Sequence, residues 1–181
     1  MRHGAAGSGS DLAGTSLRLV LRDLEPADTE AALALWLAAW SEAMPAIDFA
    51  ARRDWFGERL AMLRRKGFAL RCATAPPAGD LQGFVQGCIQ GFIAISPALR
   101  YLDHIAVLPG AWGTGVAATL IGEAKRLSPR GIALDVNQDN LRAVGFYEKH
   151  GFRRLRAGRN PRSGLPTWWY AWGEAEPPPR L

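Results

Sequence analysis

Hydrophobic positions along the chain recur with two periods. Residues 17–22, Leu-Arg-Leu-Val-Leu-Arg, alternate as a half-buried strand does. Pro26 and Asp28 then open a helix in which Ala32, Leu35, Trp36, Ala39 and Trp40 recur at three and four, and Pro45 closes it. Asp48 is set to cap a second helix running to about residue 66, with Phe56, Leu60 and Leu63 on one side and Gly67 as its stop. Residues 68–74, 84–95 and 102–108 read as strands, divided by turns at 76–80 and Pro97, with a break in the second near Gly87 or Gly91. A glycine-rich segment leads into a helix that carries Val116, Leu120, Ile121, Ala124 and Leu127 on one face. A buried strand at 132–136 follows, then a helix at 140–150 stopped by Gly151, and strands at 152–156 and 167–172.

That order predicts an α/β (α+β) domain with a mixed sheet and helices on its faces. The expected limits are a Gly/Ser-rich flexible leader over 1–16, one domain over 17–173 and a Pro-rich tail over 174–181. Length agrees, since 181 residues suffice for one domain with a real core. Hydrophobic residues at 48% and charged residues at 22% exclude wholesale disorder. The longest apolar run, 31–40, is far below the ~18 residues of a membrane span. No apolar stretch follows Arg2, so the start does not read as a secretory signal. Cys72 and Cys88 lie in apolar segments without metal-ligand spacing, which predicts reduced core thiols, a cytoplasmic protein and no metal. A net charge of +5 suits a polyanionic partner, either nucleic acid or a phosphate-rich cofactor.

The chemistry concentrates in residues 103–152. The strand at 102–108 feeds Pro109-Gly110-Ala111-Trp112-Gly113-Thr114-Gly115-Val116-Ala117, which feeds a helix. A strand, a glycine turn and a helix N-terminus make an anion site, because unpaired amides and the helix dipole converge there. Gly113-x-Gly115-x-x-Ala118 with Asp135 about 20 residues on also satisfies the dinucleotide fingerprint formally. Too little chain follows residue 136 for a dinucleotide fold, and no Gly-Lys-Ser/Thr follows for a P-loop.

The downstream helix chooses between these readings. Asn140-Leu141-Arg142-Ala143-Val144-Gly145-Phe146-Tyr147-Glu148-Lys149-His150-Gly151-Phe152 resembles a signature of the GNAT N-acetyltransferase superfamily, Asn-x-x-Ala-x-x-Phe-Tyr-x-x-x-Gly-Phe. Residues 112–117 resemble that family's acyl-CoA pyrophosphate loop, Gln/Arg-x-x-Gly-x-Gly/Ala, except that Trp112 stands where the family has Gln or Arg. The resemblance implies a GNAT fold: a mixed, mostly antiparallel sheet of about six or seven strands, flanked by about four helices and splayed between 102–108 and 132–136. It also implies acetyl-CoA as co-substrate. Main chain near Ile105 and Val107 would take the pantetheine arm, and amides of Gly113, Thr114, Gly115, Val116 and Ala117 the pyrophosphate.

The same resemblance assigns roles to side chains. Tyr147 would protonate the departing thiolate. Asn140 would cap its helix, touch CoA, or do both. Asp135, on the second splayed strand, and His104, beside Asp103 on the first, are the candidate bases, with a water chain as the alternative. Trp36 reads as core, and Trp40 to Phe49 as core or one wall of the acceptor pocket. Trp168 and Trp169 should face opposite ways. Arg153, Arg154, Arg156, Arg159 and Arg162 form a basic run that reads as a solvated surface, a nucleic-acid face or a clamp on an acidic acceptor. No aromatic interleaving or recognition-helix pattern supports nucleic acid. The expected partner is a small-molecule or peptide amine, with a homodimer left open. The rival readings are a non-catalytic acyl-CoA-binding GNAT domain and a basic nucleic-acid-binding module.

Overall fold

The computed structural model describes residues 18–75 and 88–178. Among these residues seven strands form one sheet: β1 (Val20–Asp23), β2 (Ala69–Ala75), β3 (Cys88–Ser96), β4 (Tyr101–Val107), β5 (Gly131–Asn137), β6 (Arg153–Arg159) and β7 (Pro166–Gly173). Their order is β1-β2-β3-β4-β5-β7-β6, and every pairing is antiparallel except β4 with β5. The helices are α1 (Thr29–Ala43), α2 (Arg53–Arg65), α3 (Val116–Leu127) and α4 (Leu141–Lys149).

Alternation along the strands divides the core between two faces. Phe92, Ala94 and Ala106 pack with Trp36 of α1 and with Phe56, Leu60 and Leu63 of α2. Ile93, Ile95 and Leu102 turn the other way, with Val116, Leu120 and Ile121 of α3 and Tyr147 of α4. Burying a Leu, Ile or Phe of this kind stabilises the fold by ~1.5–3 kcal/mol.

Two irregularities shape the centre. Among the described residues β4 and β5 pair at one position, Tyr101 opposite Ala133, with Ala133 N–H donating to Arg100 O at 2.7 Å, and the strands diverge from there. This is the splay. On β4, Leu102 pairs with Ile95 and His104 with Ala94, so Asp103 is an extra residue without a partner on β3. Such a bulge re-aims the side chains around it.

Several sequence-based expectations shift. The first strand begins at Val20, while residue 17 and the 76–80 turn lie outside the described residues, as do 84–87 of the expected third strand. Asp48 Oδ1 accepts from Ala51 N–H at 3.2 Å and caps a 3-10 turn (Ala50–Arg52) instead of α2 itself. The basic strand runs to Arg159 because β7 offers pairing partners to that point. Cys72 is buried, and burial pushes its thiol up to about 11, but Cys88 is exposed and is not a core thiol. Cys88 is the first residue of β3, paired with Ala75 at the far end of the β2–β3 ladder, where the strand has not yet entered the core.

Candidate active site

The turn between β4 and α3 forms an open cradle. Gly113 and Gly115 take φ of +82° and +94°, values that favour glycine, and a Cβ at either would meet no heavy atom within 4 Å. Gly115 is the N-cap of α3 and supplies no capping side chain; Thr119 N–H is the helix amide that reaches its carbonyl, at 2.9 Å. The first-turn amides of α3 therefore face the cradle uncapped, beside the positive end of the helix dipole. A groove of about 620 Å³ runs from here between β4 and α4, lined by Ile105, Val107, Gly113, Gly115, Ala117 and Phe146 among others.

Three expected cradle residues behave differently from the rest. Thr114 turns inward, its N–H and hydroxyl both donating to Ala111 O at 3.3 and 2.7 Å, so its amide is already engaged. Val116 is fully buried and, unlike Gly113, Gly115 and Ala117, does not line the groove. Trp112 donates its indole N–H to Val107 O at 2.9 Å, which occupies one of the main-chain acceptors expected to serve the pantetheine arm. Above its ring, 3.9 Å from the centroid, lies the guanidinium of Arg142 from α4. Arg142, with Lys149 and His150, also lines the groove.

A second cavity, about 270 Å³, opens on the α1/α2 side. Both cavities share Trp40, Ile105, Asn140, Ala143 and Tyr147, so they meet at the splay. Asn140 Oδ1 accepts from Ala143 N–H at 3.1 Å and caps α4, and the residue also lines both spaces; its two expected roles are compatible. Tyr147 is 6% exposed, packed between Phe146 and Phe152. Burial first, then the charge of Asp135, push its hydroxyl well above the usual phenol range, so it keeps its proton at neutral pH.

The second cavity gathers the candidate bases. Asp135 Oδ1 accepts from Tyr101 Oη at 2.8 Å across the splay, and Tyr101 is held protonated by burial and by that carboxylate. Asp103 and His104 both line the chamber although adjacent in sequence, as the bulge allows. His104 Nδ1 lies 2.5 Å from Asp103 Oδ2, and Arg59 from α2 donates two hydrogen bonds to the same carboxylate. Burial pushes the Asp103 carboxyl up, but His104 and Arg59 outweigh it and hold it down at about 2. With Nδ1 tied to Asp103, Nε2 is the His104 nitrogen left for the chamber.

The structure thus brings Tyr147, Asp135, His104 and Asn140 together around one junction. Trp36 is core and chamber wall at once, 2% exposed and stacked on Phe56 at 4.2 Å. Trp40, Ile47 and Phe49 line the chamber, whereas Met44 is buried core and accepts from Asn137 Nδ2. Trp169 is buried beside Tyr101 and Trp168 is half-buried on the opposite face. Of the basic run only Arg162 reaches the chamber. Sequence reading missed Tyr101, Arg59, Arg52, Trp55 and Arg142; the spacing of Tyr101 two positions before Asp103 was the available sign for the first.

Comparisons with known proteins agree with this geometry. The Acetyltransferase (GNAT) family matches residues 29–152. Peptidyl-lysine N-acetyltransferase YiaC of Escherichia coli is 24% identical over 156 residues, covering 84% of this chain and 96% of that protein. The solution structure of apo YjaB from Escherichia coli superposes with a TM-score of 0.64 at 22% identity, over 84% of this chain and 96% of that one. The Thermoplasma acidophilum PaiA N-acetyltransferase in complex with coenzyme A gives 0.65 at 17% identity, over 83% and 97%. The chain belongs to the GNAT acetyltransferase family and is a GNAT-type N-acetyltransferase.

Proposed function

We propose that this protein transfers the acetyl group of acetyl-CoA to a primary amine on a small molecule or a peptide. The observation that carries the reading is the meeting of an open anion cradle and groove with a separate, carboxylate-containing chamber at Tyr147. The cradle fits a phosphorylated donor: glycines without Cβ, uncapped helix amides and Arg142 beside them. Amides of Gly113, Gly115 and Ala117 would hold the pyrophosphate, with Ile105 and the remaining main chain of β4 beside the arm. Acetyl-CoA would supply an activated thioester there.

The chain's own groups have three tasks. Asp135 or His104 takes a proton from the incoming ammonium, directly or through water, so that a neutral amine can attack. The Tyr147 hydroxyl donates a hydrogen bond to the departing sulfur and can pass its proton on. Tyr101 and Arg59 hold Asp135 and Asp103 in place. The name of the YiaC relative supports a lysine side chain as one acceptor.

The test is free-thiol release from acetyl-CoA over a panel of amines and lysine peptides. Turnover with at least one amine is expected. Acetyl-CoA binding without turnover on any acceptor would favour the non-catalytic reading. On a confirmed acceptor, Asp135→Asn and His104→Gln are then compared by pH profile. The variant lacking the base should lose kcat/KM at neutral pH and recover as pH rises, because solvent then deprotonates the amine. Wild-type profiles in both would assign deprotonation to a water chain.

A further inference from the structure

The chamber carries more cationic groups than its carboxylates occupy. Asp103 is satisfied by Arg59 and His104, and Asp135 by Tyr101. Two other arginines line the same space: Arg52, from the turn before α2, and Arg162, from the 160–163 turn between β6 and β7. Neither guanidinium makes a hydrogen bond or ion pair among the described residues. Each is instead held over an aromatic ring, Arg52 over Phe49 at 5.5 Å and Arg162 over Trp55 at 4.3 Å. Cation–π contact fixes a guanidinium while leaving its N–H fork free, which suits it to receive a planar anion in bidentate fashion. A third donor in the same wall lacks a partner: Trp36 Nε1 is buried with no acceptor among the described residues. Buried donors seldom stay unmatched, so an oxygen of the occupant is the group this wall lacks.

We infer that the acceptor amine of this enzyme belongs to a molecule that also bears a carboxylate, which Arg52 and Arg162 receive while the amine faces Asp135 and Tyr147. The inference rests on the acetyltransfer reading and narrows its acceptor. A bare cationic amine would meet two unneutralised arginines at the chamber, whereas a zwitterion brings its own counter-charge. The chamber, about 270 Å³ with Trp40, Phe49 and Trp55 on its walls, suits one amino-acid-sized unit with apolar surface. A free amino acid and a peptide lysine flanked by Asp or Glu both supply this chemistry.

The test pairs each amino acid with its decarboxylated amine: phenylalanine with phenethylamine, tryptophan with tryptamine, lysine with cadaverine. Lysine peptides with acidic and with basic flanks form the second arm and separate the two sources. The carboxylate-bearing member of at least one pair should be favoured by about tenfold or more in kcat/KM. Arg52→Gln and Arg162→Gln should each shrink that ratio, with acetyl-CoA affinity unchanged. Equal or better turnover of the carboxylate-free partners, or a ratio untouched by both substitutions, overturns the inference while leaving acetyltransfer intact. Should no amine be turned over, thermal-shift binding decides it separately. Stabilisation by the carboxylate-bearing ligands alone, lost in the arginine variants, upholds the inference; equal stabilisation by both members, or none by either, defeats it.

Discussion

The groove at the start of α3 draws mainly on one run of sequence, residues 105–118, and one face of α4. The chamber beside it collects side chains from α1, α2, β4, β5 and the 160–163 turn. Under the proposed function the groove would recognise its donor through main-chain amides, glycine-cradled and without a capping side chain, so most side chains there have only to stay out of the way. The chamber is built from paired side chains: Asp103 is held by Arg59 and His104, and Asp135 by Tyr101. A backbone site holds one ligand class through changes of sequence, while a side-chain site is re-specified by any of its contributors. One fold can therefore keep its donor and vary its acceptor.

The largest effect should come from breaking the backbone site. Gly115→Asp places a carboxylate where anionic oxygens are expected, and forces φ of +94° on a residue that disfavours it. Repulsion between unit charges ~4 Å apart at a protein surface is of order 4 kcal/mol, about 10³-fold in affinity. Calorimetry should register that loss for coenzyme A while circular dichroism stays unchanged. Retained affinity would mean that the amides of α3 are not the anion site.

The junction comes next. Tyr147→Phe keeps the ring packing against Phe146 and Phe152 and removes the hydroxyl. General acid catalysis is worth ~10²–10⁴-fold. Because burial and Asp135 raise the hydroxyl's pKa, the proton is harder to give up, and the low end, about 10²-fold in kcat, is expected. Coenzyme A affinity should not change. Wild-type kcat with chemistry rate-limiting would remove Tyr147 from the reaction.

Side-chain pairing in the chamber predicts an acid-sensitive fold. The Asp103 carboxyl is held at about 2 against an ordinary 3.8. A depressed carboxylate contributes stability above its unfolded pKa and loses it as pH falls through the folded one, so ~2 kcal/mol should disappear between pH ~4 and ~2. Asp103→Asn should be less stable than wild type at pH 7, with the gap narrowing over that window in denaturant titrations. A gap independent of pH would show that the Arg59 and His104 pairing does not stabilise the folded state.

This contrast also governs what could be read from the chain. The groove was legible because its parts are contiguous: a strand, two positive-φ glycines, a helix start, and Asn140 through Phe152. Helix faces were legible from the recurrence of Leu35, Trp36 and Ala39, or of Leu120, Ile121 and Ala124. The chamber was legible only in part: Asp135, His104 and Trp40 could be named, but not the arginines and Tyr101 around them. Arg59 meets Asp103 across 44 positions, and no local pattern announces that contact. The bulge that sends Asp103 and His104 to one side breaks the alternation from which facing is inferred. Arg162 looked like its neighbours Arg153 to Arg159, and only the turn at 160–163 carries it away from the solvated strand.

The smallest expected effect concerns the loop position that departs from the family pattern. Trp112 occupies the position where the resembling loop carries Gln or Arg, yet Arg142 lies 3.9 Å above its ring. Charge is thus returned to the loop from α4, with Trp112 as its platform and Val107 O anchoring the indole. Arg142→Gln should weaken coenzyme A binding by only about three- to tenfold, since one exposed charge contributes ~1 kcal/mol beside amides that remain. The loss should fade as salt is raised, because exposed charges are screened within about 10 Å at 0.1 M. Trp112→Phe keeps the ring under Arg142 but cuts the indole bond, and should cost less than Arg142→Gln at low salt. If Trp112→Phe is the more damaging, the platform's bond to Val107 O matters more than the charge it carries, and the side chain contributes to the groove by holding β4 in shape.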